Sequence, residues 1–147
     1  MTDSPRTAAA LYTPEMLALA VQLADCPWQA DHPLHGEARS RTCGGTVAMS
    51  LALQGEQVNA LGIRVSACAV GQAAAAIFAS SATGRSADEL RRAAGEIEAW
   101  LAGSKDEPAW PNLSTLAPAL PHQGRHQAIL LPWQAALSAM GKRGASD

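Results

Sequence analysis

The sequence predicts an α+β domain in which a small antiparallel β-sheet packs against helices. Three observations carry that reading. Residues 46–53, Thr46-Val-Ala-Met-Ser-Leu-Ala-Leu53, alternate in character and put Val47, Met49, Leu51 and Leu53 on one face. Residues 57–66 do the same, with Leu61, Ile63 and Val65 on one face and Gly62, Arg64 and Ser66 on the other. Between them Gly55-Glu56 suits a tight primed turn, because glycine tolerates the positive φ such a turn requires. The rest of the chain reads as helices and loops.

Thr13-Pro14 marks the first helix start: a threonine hydroxyl can accept from an orphan helix N–H, and proline suits the first helical position. Residues 15–24 follow as a short apolar helix carrying Met16, Leu17, Ala20 and Val21. Residues 25–45 are rich in turn formers and polar groups and read as a long ordered loop. After the hairpin, Ser66 is placed to cap a helix from Ala67 to about Ser81, since Ala73 to Ala76 are strong helix formers. Thr83-Gly84 ends it. Ser86-Ala-Asp-Glu89 fits a capping box, in which serine and glutamate satisfy each other's backbone donors. Leu90, Ala94, Ile97 and Leu101 then form one buried stripe, and Gly103 suits the residue past the helix end. Residues 104–125 hold four prolines and read as a loop with a turn of helix near Ser114. The last helix is expected close to Ile129, because Pro132 is comfortable only in a first turn. Its core face would be Leu130, Trp133, Leu137 and Met140, and the tail Lys142 to Asp147 is expected to fray. The whole chain is read as one domain, residues 1–147, with its core in residues 10–140.

Composition removes several classes of function. At 147 residues and 48% hydrophobic, with 16% charged, the chain can bury a core and is not a disordered segment. A formal charge of -2 and the lack of a basic patch argue against nucleic-acid binding. The longest apolar run, around Ala73 to Ala79, is too short to span a bilayer. Met1-Thr-Asp-Ser-Pro-Arg6 lacks the basic-then-apolar pattern of a secretory leader. A cytoplasmic protein without membrane attachment is therefore expected. The three cysteines, an odd number, argue against a disulfide framework.

Cys43 and Cys68 lie equidistant from Gly55-Glu56, so closing the hairpin brings both to its open end. In a reducing compartment two converging thiols suggest a metal or sulfur site more than a structural disulfide. Cys43 precedes the first hairpin strand. Cys68 sits at a helix N-terminus, where backbone N–H groups favour thiolate, the form that binds zinc or iron and attacks a persulfide sulfur. His126, just before the last helix, is a third candidate ligand. The plainer readings stand beside these: two small residues closing a hairpin, and a solvated histidine. Cys26, beside Pro27-Trp28, reads as a structural thiol, and His32, His35 and His122 fall in loops. No Ser/His/Asp arrangement, phosphate-cradling glycine loop or C-x-x-C motif stands out.

The order of these pieces resembles the IscU/SufU/NifU N-terminal family of iron–sulfur cluster assembly scaffolds. The matching segments are Thr42-Cys43-Gly44 before an alternating strand, Arg64-Val-Ser-Ala-Cys68 leading into a small-residue helix, and Arg85-Ser-Ala-Asp-Glu-Leu90. A fourth is Arg125-His-Gln-Ala-Ile-Leu-Leu-Pro-Trp-Gln-Ala-Ala-Leu137, which looks like the family's last-cysteine segment. The likeness spans residues 10–140, and the 25-residue spacing of Cys43 and Cys68 is similar to that of the SufU-like branch. It implies a non-enzymatic scaffold that binds an iron–sulfur cluster or iron, alternatively zinc, through Cys43 and Cys68 with His126 as a further metal ligand. It also implies a cysteine desulfurase and other cluster-assembly proteins as partners, and Cys43 as a persulfide acceptor.

Departures from the family pattern are as informative. Gly45 stands where the family has aspartate, and the third family cysteine falls on Ala128. Gln127 stands where IscU has histidine, and only Leu120-Pro121 remains of the chaperone-recognition stretch Leu-Pro-Pro-Val-Lys. Three completions of the site stay open. Glu37 or Asp31 can add a carboxylate to Cys43, Cys68 and His126; two chains can pool their cysteines in a homodimer, giving four thiolates; or metal binding has been lost. The last would leave an interaction or regulatory protein. A zinc-dependent sulfurtransferase accessory is the remaining reading.

Overall fold

Alternation at residues 46–66 does produce a hairpin, but the sheet it belongs to has a third strand. The computed structural model describes residues 13–42 and 44–145, with side chains through Gly141. Cys43, the segment read for a leader and Ser146-Asp147 lie outside the described residues. In chain order come α1 (Pro14–Gln22), a 3-10 turn (Leu23–Asp25), β1 (Leu34–Arg39), β2 (Thr46–Gln54) and β3 (Gln57–Ser66). Then follow α2 (Ala69–Ser81), α3 (Ala87–Leu101), 3-10 turns at Leu113–Ala119 and Gln123–Arg125, and α4 (His126–Ala145). The strands form one antiparallel sheet in the order β1-β2-β3, and α4 packs on β1 and β2. The class is α+β, as the sequence predicts.

β1 corrects the expectation of a continuous loop over residues 25–45. Leu34-His-Gly-Glu-Ala-Arg39 carries only leucine, glycine and alanine on its inward face, so the alternation has little hydrophobic contrast. The small residues are there for proximity. A Cβ on Gly36 would come within 2.3 Å of the Ala135 carbonyl oxygen and 2.4 Å of the Ala139 nitrogen, both α4 backbone. His35 is thus a strand residue, on the face opposite α4.

The hairpin register also departs from the symmetry of its sequence. Gln54 pairs with Gln57 and Leu53 with Val58, but beyond a bulge at Ala52/Leu53 the pairing is Ala52–Ala60, Leu51–Leu61, Met49–Ile63 and Val47–Val65. Without that shift Val47 would face Arg64 and Met49 would face Gly62. A one-residue slip exchanges sheet faces, so the bulge is what puts both apolar sets on the core side. Within the turn Gly55 takes φ +64, as a first central position of a primed turn requires.

β3 is an edge strand, and its free edge is covered by residues 26–27. The Ile63 N–H donates to the Cys26 carbonyl at 2.9 Å, and Pro27 forms a parallel bridge with Ile63. That cover blunts the pairing liability of an exposed edge. Buried Ser50 on the same outer face accepts the Gln29 N–H at 3.0 Å and lies 2.9 Å from His32 Nδ1.

Among the helices, Thr13 caps α1 by accepting the Met16 N–H at 3.1 Å. Of the α1 apolar residues Met16 is fully buried, whereas Leu17 and Val21 are 48% and 74% exposed. Cys68, not Ser66, is the N-cap residue of α2. The capping box of α3 is complete, with the Ser86 N–H on Glu89 Oε1 at 2.9 Å and the Glu89 N–H on Ser86 Oγ at 3.2 Å. Leu90, Ala93, Ile97 and Trp100 line its buried face, so Ala94 and Leu101 flank the stripe. Gly103 takes φ +116 and donates to the Trp100 carbonyl, as a residue past a helix end does.

α4 starts at His126, three residues before the sequence suggests, and contains Pro132. The missing Pro132 N–H forgoes only the bond to the Ala128 carbonyl, and packing of the following turns carries the helix on through Ala145. Trp133 is fully buried at the centre of an aromatic cluster, with Phe78 at 5.3 Å and Trp110 at 5.2 Å between ring centroids. Among the described residues no helix is long and apolar enough to cross a membrane.

Candidate functional site

Three segments meet at one end of the sheet: the 40–45 loop between β1 and β2, the N-terminus of α2, and the first turn of α4. The loop is closed at its base by the Ser40 N–H donating to the Gly45 carbonyl at 2.8 Å. Gly44 turns it with φ +73. Gly45 is buried against the α2 approach, where an added Cβ would lie 3.1 Å from the Ala67 Cβ. An aspartate here would crowd the residue preceding Cys68. The glycine therefore packs the loop against α2 where the family resemblance expects a carboxylate.

Cys68 is half-buried at the α2 N-cap, its carbonyl accepting the Gln72 N–H at 2.9 Å. Gly71, one turn on, admits α4: a Cβ there would lie 2.7 Å from the Ala67 Cβ and 3.5 Å from the Ala128 Cβ. Ala128 is 0% exposed. The position aligned with the third family cysteine therefore sits beside the Cys68 segment, filled by a methyl group sealed from solvent.

The loop is tied to the α4 corner by long-range hydrogen bonds. Gln127 Oε1 accepts from the Arg41 N–H at 2.8 Å and from the Ser40 hydroxyl at 3.2 Å. The Thr42 hydroxyl donates to the Gly124 carbonyl at 3.2 Å, and the Thr42 N–H donates to Ser40 Oγ at 3.3 Å. Neither Ser40 nor Gln127 stands out in sequence, because each acts on a residue more than 80 positions away.

His126 lies at the start of α4 with its Nε2 2.8 Å from the Leu120 carbonyl. A carbonyl accepts only, so Nε2 carries the proton and Nδ1 is the nitrogen able to ligate. His126 also lines an open cavity of about 410 Å³ with Glu98, Leu101, Gln123, Gln127 and Leu130. Asp31 and Glu37 are both exposed. Among the described residues no three His, Cys, Asp or Glu side chains gather as a metal site.

His32, His35 and Cys26 have structural partners. The His35 ring lies tilted against Trp28, 4.7 Å between centroids, and the Arg64 guanidinium sits 4.6 Å from the Trp28 ring centroid. The Cys26 thiol donates to the Leu61 carbonyl at 3.3 Å. Burial first, then the Asp25 charge, pushes that thiol above its ordinary range, which makes it a poor nucleophile.

The three-stranded antiparallel sheet with helices packed on it is a fold this chain shares with solved NifU-like and SUF-system structures. A nitrogen-fixing NifU-like protein (N-terminal) from Brucella abortus superposes with a TM-score of 0.83 at 24% identity, covering 96% of this chain and 99% of that one. An iron–sulfur cluster assembly scaffold described for the SUF system of Fervidobacterium islandicum superposes with a TM-score of 0.78 at 15% identity, covering 88% and 96%. No family model and no curated protein sequence matches the chain.

Proposed function

We propose that this protein is a scaffold for iron–sulfur cluster assembly, holding iron or a nascent cluster as cargo on Cys43 and Cys68 without turnover of its own. The observation that supports the reading is the meeting of the 40–45 loop, the Cys68 N-cap and the α4 first turn at one end of a NifU-like fold. Thiolate sulfur is the ligand iron–sulfur clusters use. His126 can add a ligand only through Nδ1, since Nε2 is engaged by Leu120. In sulfur delivery the Cys43 thiolate attacks the outer sulfur of a cysteine desulfurase persulfide. The new S–S bond forms on Cys43, and the desulfurase cysteine leaves as a thiolate. A cytoplasmic setting, with thiols kept reduced, fits that chemistry.

Anaerobic reconstitution with ferrous iron and sulfide tests the proposal. Metal and sulfide content with visible charge-transfer absorption should appear in the wild type and vanish in both Cys43→Ala and Cys68→Ala. His126→Ala should weaken retention without abolishing it. A wild type that takes up no iron would overturn the reading in favour of the alternative, a scaffold fold kept as an interaction or regulatory protein. Stoichiometric zinc in place of iron would favour the sulfurtransferase accessory.

A further inference from the structure

Gln127 occupies the position where the family resemblance expects a histidine, and it is the residue through which α4 grips the loop between β1 and β2. Its side-chain orientation is fixed by chemistry: the Arg41 backbone N–H can only donate, so the atom facing it at 2.8 Å must be the amide oxygen. That oxygen also accepts from the Ser40 hydroxyl at 3.2 Å, which occupies both of its lone pairs. The amide nitrogen is a donor and cannot ligate a metal. Gln127 is thus no substitute ligand.

We infer that Gln127 is a positioning residue, a latch that holds residues 40–42 on the α4 first turn and so fixes the segment carrying Cys43 relative to Cys68. Its neighbours reinforce the same attachment. Thr42 reaches the Gly124 carbonyl, and Ser40, only 2% exposed, joins Gln127 Oε1 to the Thr42 N–H. On the far side Gly45 and Ala67 meet without a spacer, so a shift of the loop changes the distance between the two cysteine-bearing segments. Gln127 itself is exposed, so water competes for its bonds and the latch is weak enough to open. The inference rests on the scaffold reading only in taking Cys43 as a working thiol.

The test needs no metal. The three cysteines fall in three different tryptic peptides, ending at Arg39, Arg64 and Arg85, so alkylation by isotope-coded iodoacetamide can be timed at each in the full-length chain. In that reaction the thiolate displaces iodide and a C–S bond forms. Gln127→Met keeps the length and loses the acceptor; Gln127→Glu keeps an acceptor for both donors. With methionine the Cys43 rate should rise roughly three- to tenfold, the effect of losing one or two ordinary hydrogen bonds, while the Cys68 and Cys26 rates hold. With glutamate the Cys43 rate should stay near wild type. An unchanged Cys43 rate in Gln127→Met overturns the latch, as does a glutamate variant that behaves like methionine. A common rise at all three cysteines assigns Gln127 to general stability and also overturns it. Thr42→Val, which loosens the loop from its own side, should raise the Cys43 rate in the same direction. Because these rates are read on the metal-free chain, failure to load iron would refute the scaffold reading and leave this result standing.

Discussion

Cys26 and Cys68 are both half-buried thiols with different surroundings. Cys26 sits under the edge of β3, donating to Leu61, with burial and Asp25 raising its pKa. The folded state therefore keeps this proton after the unfolded chain has lost it. The associated stability is complete below the ordinary thiol value of about 8.5 and falls as pH rises from there toward the folded value. Cys26→Ser removes the titration and retains a donor for Leu61. Urea unfolding between about pH 8 and 10 should show a shallower loss of stability in the variant than in wild type. Equal slopes would mean that other groups set the alkaline limit. At the same scale, Gly45 and Ala128 show that two of the departures from the family pattern are packed positions. One lets the loop meet Ala67, and the other is sealed beside Gly71.

Among the elements, β1 and α4 are the pair the sequence hid. Leu34-His-Gly-Glu-Ala-Arg39 alternates, but with glycine and alanine on the inner face it lacks the apolar contrast that marks β2. What recruits it is α4, whose own small residues Ala135 and Ala139 let the backbones approach. Gly36→Ala should cost about 3 kcal/mol, the upper end of ordinary overpacking, because the clash is with helix backbone and no rotamer relieves it. Chemical denaturation measures this directly; a loss under about 1 kcal/mol would mean that the helix yields easily. The bulge at Ala52/Leu53 follows a related logic. Both hairpin arms were legible from alternation, but their register was not, because the two-residue turn and the apolar faces ask for registers one residue apart. α4 itself was legible in its apolar face, yet its start was not, since tertiary packing overrides the local cost of Pro132.

For the whole molecule, the question is how two cysteines would hold a cluster that takes four ligands. Among the described residues no group of three ligands forms, Ala128 offers a methyl, and Gln127 is committed to the loop. In the homodimer completion of the scaffold proposal, a second copy supplies the other two thiolates. Sedimentation should then show the metal-free chain shifting toward a dimer on loading with iron and sulfide, at one [2Fe–2S] cluster per two chains. A loaded protein that stays monomeric would exclude the shared site and return attention to His126 Nδ1.

By itself the sequence determined the α+β class, both arms of the hairpin, the α1 start, the capping box of α3 and the two cysteines with their spacing. Each of these rests on short-range regularities: a period of two, a capping pattern four residues long, a glycine at a turn. Tertiary structure alone decided the third strand, the bulged register, the burial of Ala128 and the Gln127 attachment of the loop. Those depend on residues that are not sequence neighbours meeting at van der Waals or hydrogen-bond distance, from a few positions apart across the hairpin to more than eighty apart between the loop and α4, and no local pattern records such meetings. Placing Cys68 at the start of a helix was therefore within reach of the sequence. What surrounds it was not.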